Sequence, residues 1–338
     1  MPLLTSEERI GTLLADKYRI ERIIGKGGMG VVFAAEHTWT GRHVAVKIIH
    51  PTLAEDELIA QRLLREARTA ASLNHPNAVQ VLDMGADADG TVFLVLELLE
   101  GESLEARLKR EKQLSFPEAL AILLPVMNAL AVAHEAGLVH RDLKPDNIFL
   151  REGPTGVIPT LLDFGLAKVI QDGGGAKVTQ TGVVMGTPHY IAPEQAVGEA
   201  TVGPPADVWA MGVLLFECLT GRMPFEGDSS TKIVMKVVCE KPPKLAEMGV
   251  QPLVAAQAID RALEKDLSLR YANMRQFAEA LWGAATQAGY TSVPGVATAS
   301  GGRSNRPAAT PSSGSAAVPL YTPADGAAPV LMLTPSQG

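Results

Sequence analysis

The sequence predicts an α+β fold in which a small sheet-rich lobe precedes a larger helical lobe. Up to Gly101, short runs of alternating or β-branched residues recur, and such runs are typical of strands. After Gly101, apolar residues recur at helical spacing over longer stretches. The chain of 338 residues is long enough for two globular domains or for one domain of two lobes.

The predicted elements follow in order along the chain. The strand pattern covers residues 18–24, 31–36, 43–49 and 91–97, and a helix over 57–73 interrupts it, with Asn74-His75-Pro76 as its stop. After Gly101, helices are predicted at 103–112, 116–136, 206–219, about 254–264 and about 274–282. This order places the sheet lobe before the helical lobe.

The charge balance and the cysteines limit the class of protein. Lys and Arg number 30 and Asp and Glu number 37, which argues against binding nucleic acid by neutralising its phosphates. Cys218 and Cys239 cannot build a disulfide framework and fit a reducing compartment. The first residues carry acids where a signal peptide needs bases, and the longest apolar run, 208–219, is shorter than the roughly 20 residues that span a bilayer. We therefore expect a cytoplasmic protein with no membrane segment.

The composition changes after residue 283. From 284 to 338 the only charged residues are Arg303, Arg306 and Asp325, while Ala, Gly, Ser, Thr and Pro dominate. Such a segment cannot bury enough apolar surface to offset the entropy of ordering its backbone, so we expect a disordered tail. Within it, three Thr-Pro pairs recur at Thr310, Thr322 and Thr334. Biased composition explains them, and the alternative is a set of phosphate acceptors bound by a phosphothreonine-binding domain of the FHA type.

A glycine-rich segment is the first motif with chemical meaning. The run Gly25-Lys26-Gly27-Gly28-Met29-Gly30-Val31-Val32 matches G-x-G-x-x-G-x-V. Alone it is a weak signal, since a mobile turn or a dinucleotide-binding loop has the same pattern. The following Val31-Val32-Phe33 favours a strand rather than a helix, so the motif predicts a hairpin whose glycine backbone lies over phosphates.

A lysine and a glutamate follow on the next two elements. Lys47 is the one lysine of the apolar strand Val44-Ala45-Val46-Lys47, and Glu66 lies on the predicted helix over 57–73. A strand lysine facing a helix glutamate can hold the α- and β-phosphates of a nucleotide in a charge-assisted pair. Taken by itself, Lys47 is better explained as a solvated strand lysine, and only the helix glutamate favours the phosphate-binding pair.

The second cluster is His140-Arg141-Asp142-Leu143-Lys144-Pro145-Asp146-Asn147, followed by Asp163-Phe164-Gly165. Separately, a core histidine and an ordinary turn explain the two parts. Together, Asn147 and Asp163 supply the hard oxygen ligands that Mg²⁺ prefers, with Mn²⁺ as the alternative ion. Asp142 can then accept or orient the proton of an attacking hydroxyl.

These motifs, in this order, resemble the protein kinase superfamily, and the segments 27–30 and 140–147 are similar to the bacterial Hanks-type serine/threonine kinases. The resemblance covers about residues 16–283. It implies a bilobal protein-kinase-like fold with an N-lobe over about 16–98 and a C-lobe over about 99–283, preceded by an extension over 1–15. The implied activity is transfer of the ATP γ-phosphoryl to Ser or Thr hydroxyls of protein substrates.

Two other functions stay open beside an active kinase. A pseudokinase scaffold would be expected to have lost at least one of five residues, Lys47, Glu66, Asp142, Asn147 and Asp163. A small-molecule phosphotransferase of related fold would not be expected to keep Ala192-Pro193-Glu194 together with Asp207 and Arg270. All of these residues are present, which favours the protein kinase.

The resemblance also implies which residues bind the nucleotide. Leu96 falls at the gatekeeper, residues 97–99 at the hinge that bonds adenine, and Lys144 at the γ-phosphate. The walls of the purine pocket fall at Val32, Ala45 and Phe149. The implied ATP-binding set is Gly25, Lys26, Gly27, Gly28, Met29, Gly30, Val32, Ala45, Lys47, Leu96, Glu97, Leu99 and Phe149.

Further roles follow from the same resemblance. Glu194 is expected to pair with Arg270, and Asp207 to brace the loop that holds His140. Phe164 belongs to the metal-binding motif that Asp163 begins. Lys144-Pro145 and Gly186-Thr187-Pro188 are similar to kinases that act on Ser or Thr, and the Thr187 hydroxyl is expected near Asp142 and Lys144.

The loop from 163 to 194 is the expected site of regulation. Thr179 and Thr181 sit where similar bacterial kinases autophosphorylate, and the alternative is a polar loop with incidental threonines. A phosphate there would give the Arg141 guanidinium an anionic partner, with Lys168 as a second contact. Modification of one copy by another implies a homodimer for trans-autophosphorylation.

Overall fold

The computed structural model describes residues 4–27, 30–50, 67–153, 156–163, 188–199 and 202–291. The N-terminal lobe is built on six strands: β1 Leu13–Leu14, β2 Tyr18–Gly27, β3 Gly30–His37, β4 Arg42–Ile49, β5 Val81–Ala86 and β6 Val92–Glu97. Their order in the sheet is β1-β2-β3-β4-β6-β5, and every neighbouring pair is antiparallel.

One face of this sheet forms the core of the N-terminal lobe. Phe33 lies opposite Val46 on β4, and Val46 lies opposite Val95 on β6, so three central strands present an apolar side chain at the same level. All three residues are buried. The alternation of the sequence therefore sets the register, because a slip of one residue would turn these side chains away from the core.

The N-terminal segment is hydrogen-bonded to the sheet lobe. The Arg9 guanidinium is buried and donates to Asp89 at 3.2 Å and to the Thr91 hydroxyl at 2.7 Å. The Ala15 amide donates to Asp87 at 3.2 Å, which ties the start of the sheet to the turn between β5 and β6. Arg9 and Ala15, which lie in the predicted N-terminal extension over 1–15, thus bond to the sheet lobe.

Among the described residues of this lobe, one helix accompanies the sheet. In helix α1, residues 67–72 are described, and the chain leaves the helix before Asn74-His75-Pro76 as the sequence predicted. Ala70 and Leu73 are buried against the C-terminal lobe core. Residues 51–66, which include Glu66, lie outside the described residues.

The C-terminal lobe is mainly helical, as predicted. Its described helices are α2 Leu104–Glu111, α3 Phe116–Glu135, α4 Pro193–Ala196, α5 Pro205–Thr220, α6 Ser230–Cys239, α7 Leu253–Ala262 and α8 Met274–Gln287. The lobe also contains a small antiparallel sheet of β7 Gly101–Ser103, β8 Ile148–Gly153 and β9 Gly156–Leu161. In chain order β7 precedes α2, and β8 and β9 follow α3. Helices α3 and α5 are apolar on nearly all sides, which is why they form the centre of the lobe.

Helix α3 is long and apolar enough to cross a membrane by length and composition, with a mean hydropathy of 1.8. Most of that stretch, 72%, is buried inside the protein. Its start is fixed by the Glu118 carboxylate, which accepts a hydrogen bond from the Ser115 amide at 2.9 Å. These properties are those of a core helix.

The end of the lobe differs from the prediction. Helix α8 runs to Gln287, so the predicted boundary at residue 283 falls inside it. Beyond the helix, the Tyr290 ring packs edge-on against Phe116, with 5.4 Å between the ring centroids. The low charge of this stretch suggested a disordered tail. Ala285 is however fully buried, and burial of its apolar side chain stabilises the end of the helix. Residues 292–338 lie outside the described part of the chain.

Candidate active site

The first feature of the cleft is an ion pair between the two lobes. The Lys47 ammonium, buried on β4, lies 2.7 Å from Oδ1 of Asp163, which directly follows β9 and Leu162. Burial alone would raise the pKa of Asp163, but the Lys47 charge outweighs it and the pKa is lowered. Asp163 is therefore held as an anion, in a left-handed backbone conformation with φ 54°.

The sequence predicted Glu66 as the partner of Lys47. Glu66 lies outside the described residues, so the partner that the structure gives for Lys47 is Asp163. Lys47 and Asp163 lie far apart in the sequence, and no local pattern links them.

Three polar residues converge in the loop between α3 and β8. The Lys144 ammonium lies 2.8 Å from Asp142 Oδ2. The Asn147 amide nitrogen donates to the Asp142 carbonyl at 2.7 Å and to its Oδ2 at 3.3 Å. Because the amide NH₂ is directed at Asp142, the amide oxygen of Asn147 remains the acceptor on its other side. The carboxylate of Asp142 is thus fixed by two donors that are local in sequence.

The same loop is joined to the strand that leads to Asp163. The Leu162 amide donates to the Asn147 carbonyl at 2.8 Å, and the His140 imidazole bonds the Leu162 carbonyl through Nε2 at 2.9 Å. Since Nδ1 of His140 accepts from the Asp142 amide, we assign the proton to Nε2. These bonds bring Asn147 and Asp163, the two predicted metal ligands, to one end of β9.

Asp207 on α5 fixes the backbone of the same loop. Its carboxylate accepts hydrogen bonds from the backbone amides of His140 and Arg141, both at 2.8 Å. The His134 imidazole, on α3, lies 2.8 Å from the same carboxylate. Burial opposes the charged form, yet the pKa of Asp207 is lowered because the interactions with His134 and His140 outweigh burial. Asp207 thus contacts the loop that holds His140, and His134 is a further partner of its carboxylate.

Arg141 connects the loop to the segment that precedes α5. Its guanidinium donates to the Val202 carbonyl at 2.7 Å. Its backbone carbonyl accepts a hydrogen bond from the side-chain amide of Gln195 at 3.1 Å. Its backbone is left-handed, with φ 63°. A non-glycine residue in this conformation costs energy that the surrounding hydrogen bonds offset.

Glu194 and Arg270, expected to pair, form two N–H to carboxylate hydrogen bonds at 2.8 and 3.2 Å. Glu194 lies in α4 and Arg270 precedes α8, so the pair joins distant segments of the lobe. Both side chains are buried.

The expected nucleotide pocket lies on β2, β3, β4 and β6. Val32 is paired with Gly25 on one side and Lys47 on the other, and Ala45 is paired with Leu96. A Cβ at Gly30 would collide with the Ile48 carbonyl oxygen, so glycine is required there by close approach of β4.

The remaining pocket residues lie at the edges of the cleft. Phe149 is paired with Ser103 in the small sheet, and Glu97 ends β6, followed closely by Leu99. Lys26, near the tip of the β2–β3 hairpin, forms an exposed ion pair with Glu7 at 2.7 Å. Gly27 is the last described residue of the hairpin before its tip.

A small cavity of about 20 Å³ lies beside Leu96 and the Lys47–Asp163 pair. The short side chains of Ala67 and Ala70 on α1 form part of its wall. Its lining comprises Lys47, Ala67, Ala70, Val79, Val81, Leu94, Leu96 and Asp163.

Several predicted site residues lie outside the described part of the chain. They are Gly28, Met29, Glu66, Phe164, Lys168, Thr179, Thr181 and Thr187. His134 was not predicted, because a buried histidine on an apolar helix carries no local sign of its partner.

The protein kinase domain family matches residues 18–282, and the chain belongs to this family. It is 43% identical over 285 residues to the serine/threonine-protein kinase PknA of Mycobacterium tuberculosis, covering 83% of this chain and 64% of that protein. It is 35% identical over 271 residues to the probable serine/threonine-protein kinase PknB of Lactococcus lactis, covering 79% and 42%.

A solved structure gives the same result for the fold. The kinase domain of Mycobacterium tuberculosis PknI is 27% identical, with a TM-score of 0.64, over 83% of this chain and 100% of that domain. The predicted two-lobed kinase fold and the resemblance to bacterial Hanks-type kinases are confirmed. The chain spans less than two thirds of the length of the curated relatives it matches.

Proposed function

We propose that this chain is an ATP-dependent serine/threonine protein kinase that phosphorylates Ser and Thr hydroxyls of proteins. The observation that carries the proposal is the placement of Asp142 between Lys144 and Asn147, on a loop bonded to the strand end at Asp163 and thus to Lys47. These charges suit phosphoryl transfer, in which catalysis consists mainly of positioning and electrostatic stabilisation.

Each residue has a defined task in the proposed reaction. Asp142 orients the attacking hydroxyl and accepts its proton as the new O–P bond forms. Lys144, already at 2.8 Å from Asp142, offsets negative charge on the transferred phosphoryl group. Lys47 supplies a fixed positive charge for the α- and β-phosphates, and the acceptor's hydroxyl oxygen attacks in line with the departing ADP oxygen.

Protein kinases use ATP with a divalent metal, and the residues here fit such an ion. Asp163 offers a carboxylate and Asn147 an amide oxygen, and both are hard ligands. In the described residues no group of three or more His, Cys, Asp or Glu side chains is placed to hold a metal. An ion held by Asn147 and Asp163 would take its other ligands from nucleotide phosphates and water. We assign Mg²⁺, with Mn²⁺ as the alternative; when bound, it neutralises phosphate charge.

The decisive experiment measures incorporation of phosphate from [γ-³²P]ATP into the chain itself and into a generic protein acceptor. Asp142→Asn and Lys47→Met should each abolish incorporation while the circular dichroism spectrum stays unchanged. Asp260→Asn is the matched control, since Asp260 is a carboxylate of the same lobe that bonds the amides of Leu245 and Ala246, far along the chain from the loop. Wild-type levels of incorporation in Asp142→Asn would refute the assignment.

The proposal includes activation by phosphorylation of Thr179 and Thr181, which lie outside the described residues. Arg141 supports this proposal. Its backbone amide bonds Asp207, and it directly precedes Asp142 in the chain. A phosphate that binds the Arg141 guanidinium would therefore act on the loop that carries Asp142. Mass spectrometry of active enzyme should find both threonines modified. Full activity of unmodified enzyme, or of a Thr179→Ala, Thr181→Ala variant, would contradict it.

The partners in this proposal are protein substrates, a second copy of the chain and an FHA-type domain. If one copy phosphorylates another, the initial rate of autophosphorylation per molecule rises with enzyme concentration. If the Thr-Pro pairs of the tail are acceptors, deletion of residues 300–338 abolishes binding of a phosphothreonine-binding FHA domain. We place this activity in the cytoplasm, where Cys218 and Cys239 stay reduced.

A further inference from the structure

An arginine of the C-terminal lobe reaches across to the N-terminal lobe beside the hinge. Arg151 lies on β8, and its guanidinium donates to the Pro76 carbonyl at 3.1 Å. The same guanidinium faces the Glu97 carboxylate at 3.9 Å. Pro76 precedes β5 and Glu97 ends β6, so one side chain contacts two segments of the opposite lobe.

Glu97 is held from the other side as well. Its carboxylate accepts a hydrogen bond from the Gln80 amide at 3.0 Å, and its own amide donates to the Gln80 carbonyl at 3.1 Å. Glu97 is also the first residue of the expected adenine-binding hinge. The carboxylate therefore lies between a fixed backbone donor of its own lobe and a cation of the other lobe.

The backbone on the far side of the hinge is attached to the same arginine. Gly101 is paired with Arg151 in the small sheet, and a Cβ on Gly101 would collide with the Leu150 carbonyl oxygen. The Glu152 amide donates to the Glu100 carbonyl at 3.3 Å. Both ends of the segment 98–100 are thus attached to β8. Arg151 faces Glu97 at the start, and Arg151 and Glu152 pair with Gly101 and Glu100 at the end.

The position of Arg151 makes its charge effective. Its side chain is 28% exposed and that of Glu97 is 22% exposed, so water screens their attraction less than for a surface pair. Its Nε is buried and has no hydrogen-bond partner among the described residues. A buried donor left without a partner is a cost, which the contacts to Glu97 and Pro76 offset.

We propose that Arg151 is a positioning residue that fixes the hinge and the angle between the lobes through Glu97 and Pro76, and so sets the affinity for nucleotide. This inference rests on the proposed function, since it takes residues 97–99 as the adenine-binding hinge. Arg151 contacts no reacting atom. It changes how well the free enzyme is organised for ATP, and leaves the residues that transfer the phosphoryl group in place.

The test separates nucleotide binding from chemistry. Arg151→Ala should raise both the KM for ATP and the Kd for ADP about five-fold, which corresponds to a pair worth about 1 kcal/mol, while kcat stays within about two-fold. Arg151→Lys should restore part of the affinity, because an ammonium can reach one of the two partners but not both. Arg275→Ala, which removes an exposed pair with Glu135 in the same lobe, is the control and should change neither constant.

A double-variant cycle shows whether Glu97 transmits the effect. Glu97→Gln keeps an acceptor for the Gln80 amide but removes the charge, so it should weaken ADP binding in the wild-type background and add little to Arg151→Ala. Additive effects, or an unchanged Kd in Arg151→Ala, would overturn the inference. Absence of ADP binding and phosphotransfer in the wild type would instead refute the proposed function, so the two failures are distinguishable.

Discussion

The Arg270 guanidinium binds the Glu194 carboxylate with two hydrogen bonds inside the C-terminal lobe, where the arginine side chain has no exposed surface. Its other N–H groups donate to the carbonyls of Pro205, Glu264 and Lys265. The guanidinium also lies over the Trp209 ring, 5.1 Å from its centroid. All five donors of this arginine are thus satisfied, which offsets the cost of removing its charge from water.

Removal of this arginine should be strongly destabilising. Arg270→Met leaves the Glu194 carboxylate buried without its cation, and we expect a loss of about 3–5 kcal/mol in the free energy of unfolding. Urea denaturation measures it. Arg275→Ala, which removes an exposed ion pair, should cost less than about 1 kcal/mol. Equal losses in the two variants would show that burial of the pair has no energetic consequence.

Asp207→Asn should reduce kcat more than it raises the KM for ATP. An asparagine offers one oxygen and an NH₂ where three donors now converge, so the amides of His140 and Arg141 cannot both be satisfied. We expect a stability loss of about 1–3 kcal/mol as well. Steady-state kinetics and denaturation are measured on both this variant and Asp260→Asn, which should lose stability without the loss in kcat.

Glu217 predicts a pH-dependent stability. Burial is the main reason that the pKa of Glu217 lies above 4.5, and the charges of Glu105 and Asp146 add to it, while the Tyr190 hydroxyl opposes it by donating at 2.7 Å. A carboxyl with a raised folded pKa destabilises the fold when charged, and this penalty fades as the pH falls toward 4.5.

Glu217→Gln should therefore stabilise the protein near pH 8, by up to about 1 kcal/mol, since the amide oxygen still accepts from Tyr190. The gain should shrink as the pH falls. Thermal unfolding of both proteins across this pH range measures it, and a difference that is independent of pH would contradict the assignment.

The N-terminal segment should contribute to the stability of the sheet lobe. Arg9→Met breaks the contacts to Asp89 and Thr91 and leaves a part-buried carboxylate, with an expected loss of about 1–3 kcal/mol. Arg22→Ala, at an exposed position of β2, should change stability by less than about 0.5 kcal/mol. If Arg9→Met behaves like Arg22→Ala in urea denaturation, the segment is bound too weakly to matter.

Much of the fold was predictable because its long elements have clear periodicity. The missed elements show where that signal fails. Helix α6 contains Ile-Val-Met-Lys-Val-Val, a β-branched run that favours a strand locally, yet Ile233 and Val237 are buried one turn apart and the tertiary contact decides. Strand β9 contains Pro159, which argues against a strand, and the strand tolerates it at the edge of a small sheet.

The site was predictable as far as its residues lie close together in sequence. Asp142, Lys144 and Asn147 are within one short loop. The types of Asp142 and Asn147 indicated the chemistry, whereas the role of Lys144 came from the resemblance to the family. Contacts over long sequence distances were not predictable without the resemblance to the family. The pair of Lys47 with Asp163 has no local signature, and the same is true of Arg9 with Asp89 and Arg151 with Glu97.

The left-handed backbone of Arg141 and Asp163 has a consequence for how this sequence can change over time. Glycine adopts that conformation at little steric cost, so glycine would relieve the backbone strain at both positions. It would also remove the Arg141 bond to the Val202 carbonyl and the Asp163 carboxylate that faces the buried Lys47 ammonium. A library at these two positions would therefore be expected to keep the charged side chains for folding as well as for turnover.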